Sequence, residues 1–335
     1  MTRGLMIGKF YPPHRGHKLL IDAALAGADE VDVVVCDRPG VDPPAPLRAS
    51  WLHEIHPAAR VHVIDDRYDA DDSAVWATAC TELLGFAPDV VFTSEDYGER
   101  FAACLKCRHV LVDRARLAVP VSGTAVRADP LVHWDFLEPP VRGYYARRVV
   151  LVGAESTGKT TLATDLAAAL GTVWVGEYGR EHWEAKIARG DLNFWRPEEF
   201  ADIAREQCRR EDAAARVCNR VLICDTDAFA TRIWFKRYLN SWSPEVDAIA
   251  AAHRRPDLYL LTDLATPFEQ DGTRDGELIR DWMHRTFVEE LTADGRPFVA
   301  VTGTRPERLA TALAAIQSIP ASGGTSACRP SLTCE

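Results

Sequence analysis

The chain has 335 residues, 47% of them hydrophobic and 26% charged, and carries a formal net charge of −10. The length suits two domains and the composition a folded chain; the acidic balance argues against a nonspecific nucleic-acid binder, which needs a basic surface to displace phosphate counterions. No basic N-terminal stretch precedes an apolar run, and no apolar run nears the ~20 residues of a membrane span, so a cytoplasmic protein without a leader or membrane partner is expected. In chain order, short Val-rich runs at 5–10, 31–36, 61–64, 90–93 and 110–112 read as buried parallel strands. Helical patterns lie between them at 18–28, 47–56 and 74–84. The alternation predicts a doubly wound parallel sheet. Pro139, Pro140 and Gly143 break the pattern and mark a junction. A second series follows, with strands at 148–152, 173–175, 221–224, 258–261 and 298–301 and a long helix at 197–216. The fold class is therefore α/β, two parallel-sheet domains at 1–142 and 146–318. The remaining 319–335, rich in Ser, Gly, Thr and Pro, reads as a disordered tail.

Each series opens on a phosphate-type turn. The first is Gly8-Lys9-Phe10-Tyr11-Pro12-Pro13-His14-Arg15-Gly16-His17, directly after the first strand. A strand, a tight turn and a helix start aim backbone N–H groups at an anion. Gly16 lets the backbone approach a phosphate, and the imidazoles of His14 and His17 can donate to oxygens on which charge grows during in-line attack at phosphorus. Capping a helix or lining a surface would be the plainer reading of an isolated pair; after Gly-Lys-Phe and Pro-Pro the phosphate reading is preferred. The second turn, Gly153-Ala154-Glu155-Ser156-Thr157-Gly158-Lys159-Thr160, matches G-x-x-x-x-G-K-T without exception. Its amides cradle phosphate oxygens, Lys159 reaches the β/γ-phosphates, and Thr160 offers a hydroxyl to Mg²⁺. Asp225 and Asp227, at the end of the 221–224 strand, form a Walker B arrangement, with Asp225 the better metal ligand. Nine cysteines are present, including a Cys104-Leu105-Lys106-Cys107 pair. No second pair follows at zinc-finger spacing, and reduced thiols on an amphipathic helix are the simpler reading.

The first turn resembles the H-x-G-H motif of the nucleotidylyltransferase superfamily, and Gly8 to His17 as a block is similar to its nicotinamide-nucleotide adenylyltransferase branch. The branch's second signature, S-x-T-x-x-R, stands here as Ser122-Gly123-Thr124-Ala125-Val126-Arg127. Ser122 and Thr124 suit a helix cap, with Arg127 on the triphosphate. The resemblance implies that His14, His17 and Arg127 stabilise the transition state, and that Gly8, Lys9 and Phe10 face phosphate. It places Trp76 as the wall for the nicotinamide ring, with core packing as the competing reading, and Ser94 and Glu95 near the nucleotide. Arg48 is read either as a phosphate contact or as a solvated charge.

The second half is similar to the small nucleoside kinases. That likeness implies that Glu155, Ser156, Thr157, Gly158 and Thr161 join Gly153, Lys159 and Thr160 around ATP. It implies base or riboside contacts at Tyr178, Arg180 and Trp183, a lid over 264–274 carrying Arg274, and a general base that is either Glu177 or Asp227. The two halves occur in this order in the bifunctional NadR-type family, which joins nicotinamide-nucleotide adenylyltransferase to ribosylnicotinamide kinase. Some of its members carry an N-terminal helix-turn-helix; here the first motif begins at Gly8, so that module and sequence-specific DNA binding are not expected. The implied ligands are nicotinamide riboside, its mononucleotide NMN, NAD, ATP and Mg²⁺. Two alternatives stay open: a related fusion acting on another base, and a nucleotide-sensing regulator with weak turnover. A homo-oligomer and channelling between the sites are left undecided by the sequence.

Overall fold

A computed structural model describes residues 1–67, 72–191, 195–269 and 277–320. Arg274, residues 270–273 of the lid expectation, residues 69–71 and the tail from 321 lie outside the described residues. Contacts divide the chain into Met1–Arg142 and Gly143–Glu335.

The first unit runs β1 (Arg3–Gly8), α1 (Arg15–Gly27), β2 (Glu30–Asp37), α2 (Ala45–Ile55), β3 (Arg60–Asp65), α3 (Ser73–Leu84), β4 (Val90–Thr93), α4 (Tyr97–Leu105), β5 (Arg108–Leu111), α5 (Gly123–Ala128) and α6 (Pro139–Tyr145), the last crossing the boundary. Its strands are all parallel, in the order β3-β2-β1-β4-β5. Alternation along each strand feeds two cores. Met6, Val33, Val35 and Phe92 pack on Leu20, Ile21 and Ala24 of α1 and Leu52 of α2. Leu5, Val34 and Val91 point the other way, onto Trp76 and Cys80 of α3 and Phe101 of α4. A sheet covered on both faces has little use for polar residues, which is why its strands read as near-continuous apolar runs. β1 ends at Gly8, earlier than the apolar pattern suggests, because Phe10 turns into the left-handed region (φ 44°).

The second unit runs β6 (Arg147–Val152), α7 (Lys159–Leu170), β7 (Trp174–Val175), α8 (Tyr178–Ala188), α9 (Pro197–Ala215), β8 (Val221–Asp225), α10 (Ala228–Leu239), α11 (Pro244–Ala252), β9 (Leu258–Thr262), α12 (Arg280–Ala293), β10 (Phe298–Val301) and α13 (Arg305–Gln317). Its parallel strands lie in the order β10-β9-β6-β8-β7. Val149, Leu151, Ile223 and Leu260 pack on Leu162 and Leu166 of α7 and Ile316 of α13. The α/β class expected from the sequence is thus borne out twice. In both sheets the first strand is central and its neighbours diverge to either side. That switch point is where ligands of open α/β sheets bind, and each phosphate-type turn leaves a first strand there. No helix among the described residues is long and apolar enough to cross a membrane.

Candidate active sites

In the first unit the turn after β1 opens onto a cavity lined by Gly8, Lys9, Phe10, His17, Trp76, Ser94, Glu95, Ser122, Thr124 and Arg127, among others. His14 is the N-cap of α1: its Nδ1 accepts from the Gly16 amide at 3.1 Å, and His17 Nδ1 accepts from the His14 amide at 3.3 Å. The two rings stack 3.8 Å apart. With each Nδ1 used as an acceptor, a neutral ring carries its proton on Nε2 and keeps that donor for a ligand. Burial, with the Arg116 and Arg127 charges beside it, lowers the His14 pKa to about 4, and burial holds His17 well below the ordinary histidine value. Both imidazoles are therefore neutral near pH 7. Capping and donation are compatible readings, because they use different nitrogens. A methyl at Gly16 would meet the His14 ring at 2.9 Å, so the glycine also makes room for the imidazole.

The signature at 122–127 divides its labour. Ser122 caps α5 by accepting from the Ala125 amide at 3.1 Å. Thr124 does not cap; its hydroxyl takes one Arg127 N–H at 2.8 Å, while the Tyr11 carbonyl takes another at 2.8 Å. Arg127 is thereby fixed against the turn that carries the histidines. Arg48 is neither a phosphate contact nor solvated. It is 1% exposed, and its guanidinium donates to the carbonyls of Lys9, Pro43 and Cys36, clamping the turn to the end of β2. Trp76 packs with Leu5 and Phe101 and also lines the cavity. Arg116, which lies outside both signatures, lines the same cavity in a left-handed conformation (φ 52°), 3.9 Å from Glu95.

In the second unit the cavity is lined by residues 155–161, Glu177, Arg180 and Trp183, together with Trp195, Trp234 and Tyr238. Gly153 has φ 145°, and a methyl there would sit 2.3 Å from Thr262 Oγ1, so the turn requires glycine on two counts. The Thr157 hydroxyl bonds Ala154 O at 2.8 Å and Thr262 Oγ1 at 2.7 Å. Lys159 is 7% exposed, and its ammonium bridges the Gly153 and Ala154 carbonyls at 3.1 and 2.8 Å. Arg308 of α13 braces the loop from behind by donating to Thr157 O at 2.7 Å and Gly303 O at 3.0 Å. Glu155 is paired with Arg237 at 2.6 Å, and Ser156 Oγ accepts from the Glu269 amide at 2.8 Å. The Thr160 hydroxyl donates to Asp225 Oδ2 at 2.5 Å, while Asp225 Oδ1 is buried with no hydrogen-bond partner. A carboxylate oxygen so placed beside a hydroxyl fits a hard divalent cation.

The two candidate bases separate. Asp227 caps α10, accepting from the Ala230 amide at 2.8 Å on Oδ1 and from the Tyr259 hydroxyl at 2.6 Å on Oδ2. Both oxygens are engaged, and Asp227 is not among the cavity-lining residues. Glu177 lines the cavity; burial, reinforced by the Asp225 charge and opposed by Lys159, pushes its pKa up to about 7. Tyr178 is also displaced from its expected place: its ring lies 4.4 Å beneath the Arg210 guanidinium and does not line the cavity. Other rings line the cavity, one of them the expected Trp183. Trp183 stacks on Trp195 at 5.3 Å, Trp195 contacts Tyr238 at 5.3 Å, and Trp234 stacks on Tyr238 at 6.3 Å. The i, i+4 spacing of Trp234 and Tyr238 was the available signal. The Cys104–Cys107 pair is split by the left-handed cap Lys106, with Cys104 exposed and Cys107 half-buried. Among the described residues no group of three or more His, Cys, Asp or Glu has a metal-holding arrangement.

A family model described as an AAA domain matches residues 148–308. The chain is 29% identical over 327 residues to the trifunctional NAD biosynthesis/regulator protein NadR of Escherichia coli K12, covering 90% of this chain and 78% of that one. Its counterpart from Salmonella typhimurium LT2 is 28% identical, covering 89% and 78%. The chain is similar to NadR over nine-tenths of its length. Solved NadR structures share the fold: one in complex with NR superposes with a TM-score of 0.78 at 22% identity, covering 98% of each chain. Another, with NAD and AMP-PNP, gives 0.75 at 21%, covering 97% of this chain and 98% of that one. The likeness to NadR therefore spans both sheets and both turns, beyond the region matched by the AAA model.

Proposed function

We propose that the chain makes NAD in two steps, first phosphorylating nicotinamide riboside and then adenylylating the product. The observation that carries this reading is that each phosphate-type turn lines its own cavity beside aromatic side chains, in a chain similar to NadR throughout. In the kinase step the 153–160 turn and Lys159 hold the phosphates of ATP. Thr160 and Asp225 would hold Mg²⁺, which neutralises phosphate charge when bound. Glu177 accepts the proton of the riboside 5′-hydroxyl as its oxygen attacks the γ-phosphorus; ADP leaves and the mononucleotide remains. The pyridinium of the riboside is a cation, and the faces of Trp183, Trp195 and Tyr238 suit it electrostatically.

In the adenylyl step the 5′-phosphate of NMN attacks the α-phosphorus of ATP and pyrophosphate leaves. His14 and His17 donate from Nε2 to the oxygens that gain charge, and Arg127, Arg116 and Lys9, which line the cavity together with His17, add positive charge around the phosphates. Trp76 stacks on the nicotinamide ring. Neither step requires a protein nucleophile.

The test is purified protein with Mg-ATP and nicotinamide riboside, products resolved by chromatography, beside Lys159→Ala and His17→Ala. Wild type should form NAD, Lys159→Ala should leave the riboside untouched, and His17→Ala should stop at the mononucleotide. A riboside left unphosphorylated by wild type would sink the reading.

A further inference from the structure

The second unit holds a buried cation that the proposed chemistry does not use. The α8 cap Glu177 and then Arg180, Trp183 and Lys186 follow one another at three-residue spacing, the i, i+3 relation of neighbours on a helix surface. The first three line the cavity; Lys186 does not, and its side chain is 2% exposed. Its ammonium grips both oxygens of Glu199 on α9, at 2.9 and 3.0 Å. Glu199 is itself buried and accepts from the Arg196 amide at 2.8 Å, a bond that fixes the first turn of α9. His182 Nε2 stands 3.4 Å from the same carboxylate. Trp195 directly precedes that turn, and the Lys186 ammonium lies 5.0 Å from the centre of its ring.

A buried ion pair adds little to stability, because desolvation offsets the attraction; its best-attested use is to fix one arrangement of the elements it joins. Here it joins α8, which carries Trp183, to the start of α9, which Trp195 leads into. Those two rings stack 5.3 Å apart with planes 28° from parallel, and both line the cavity. Resting on the kinase reading above, we propose that Lys186 is a positioning residue for riboside phosphorylation. Through Glu199 and the face of Trp195 it sets that ring against Trp183, and so shapes the wall that receives the pyridinium. Lys186 does not line the cavity, so it acts through Trp195 rather than on the ligand. The phosphate turn is held separately, by Arg308 and Thr262, so ATP binding does not depend on the pair.

The experiment is a cycle of steady-state kinetics on wild type, Lys186→Met, Trp195→Ala and the double variant, with riboside and Mg-ATP varied in turn and thermal unfolding beside each. Lys186→Met keeps the length of the side chain and removes its charge. It should raise the riboside KM roughly 10-fold or more, with kcat and the ATP KM within ~3-fold of wild type. In the Trp195→Ala background the same change should add less than ~2-fold, because residues acting through one contact are not additive. Lys186→Met/Glu199→Gln also removes the carboxylate charge left behind, while keeping an acceptor for the Arg196 amide. It should unfold at a higher temperature than Lys186→Met and retain the raised KM. Where Lys186→Met alone does not fold, this pair takes its place in the cycle. A riboside KM that is unchanged, or that rises by the same factor with and without Trp195, overturns the assignment. So do kcat and KM values that fall away together and recover with stability in the uncharged pair, which would leave Lys186 a structural cation. Wild type that does not phosphorylate the riboside sinks the kinase reading itself, and this proposal with it.

Discussion

At the scale of single residues the two sites handle protons in opposite ways. Glu177 is raised to about 7 by burial, so near neutral pH its ionised and protonated forms are both populated, as suits a general base. Only the ionised form accepts a proton, so kcat/KM for riboside phosphorylation should rise with pH to a plateau above an apparent pKa near 7. Glu177→Gln should abolish that limb and lower kcat by roughly 10²–10⁴-fold. Asp227→Asn should instead cost stability, on the order of 1–3 kcal/mol, because it disturbs the α10 cap and the Tyr259 bond. His14 and His17 are already neutral, so adenylyl transfer should show no histidine titration between roughly pH 5 and 8. Its acid limb should appear only as pH falls toward about 4, where His14 gains its proton. A limb near the ordinary histidine value would contradict the neutral pair. The motifs named these residues because spacing along a short turn is visible in a sequence. That Asp227 is engaged elsewhere was not visible, since its partner Tyr259 lies 32 residues further along the chain.

At the scale of elements, both turns are held from outside themselves. Arg48 fastens the first through three carbonyls, and Arg308 fastens the second through Thr157 O and Gly303 O. Replacing Arg48 by Ala leaves three acceptors without a charged donor and should destabilise the first unit by on the order of 3 kcal/mol, read by denaturant unfolding. Gly153→Ala should abolish ATP binding in a fluorescent-nucleotide titration, because its methyl would collide with Thr262 Oγ1. Non-glycine residues in the left-handed region line both cavities: Phe10 and Arg116 in one, Ser156 and Thr226 in the other. Such conformations cost energy and gather where a site needs a fixed backbone. The strands and the α/β alternation were legible because buried parallel strands are apolar throughout. The clamps were not, since an arginine that binds backbone carbonyls looks, in sequence, like any surface charge. The aromatic wall was half legible, because Trp183 lies in a motif while Trp195, Trp234 and Tyr238 meet it only through the packing of α8, α9 and α10.

At the scale of the whole molecule, two self-contained sheets each carry one cavity and one phosphate turn. Fragments divided at the Arg142–Gly143 boundary should each keep their own reaction, the first making NAD from supplied mononucleotide and the second making mononucleotide from riboside. The central claim is that the two reactions run in series and draw on different phosphates of ATP. The most direct measurement supplies nicotinamide riboside with ATP carrying distinguishable labels at the α- and γ-phosphorus, and determines the label content of the NAD formed. The account predicts one γ-derived phosphorus on the nicotinamide side and one α-derived phosphorus on the adenosine side of each molecule. NAD lacking the γ label would mean that its nicotinamide phosphate does not come from the Lys159 site, and would contradict the account.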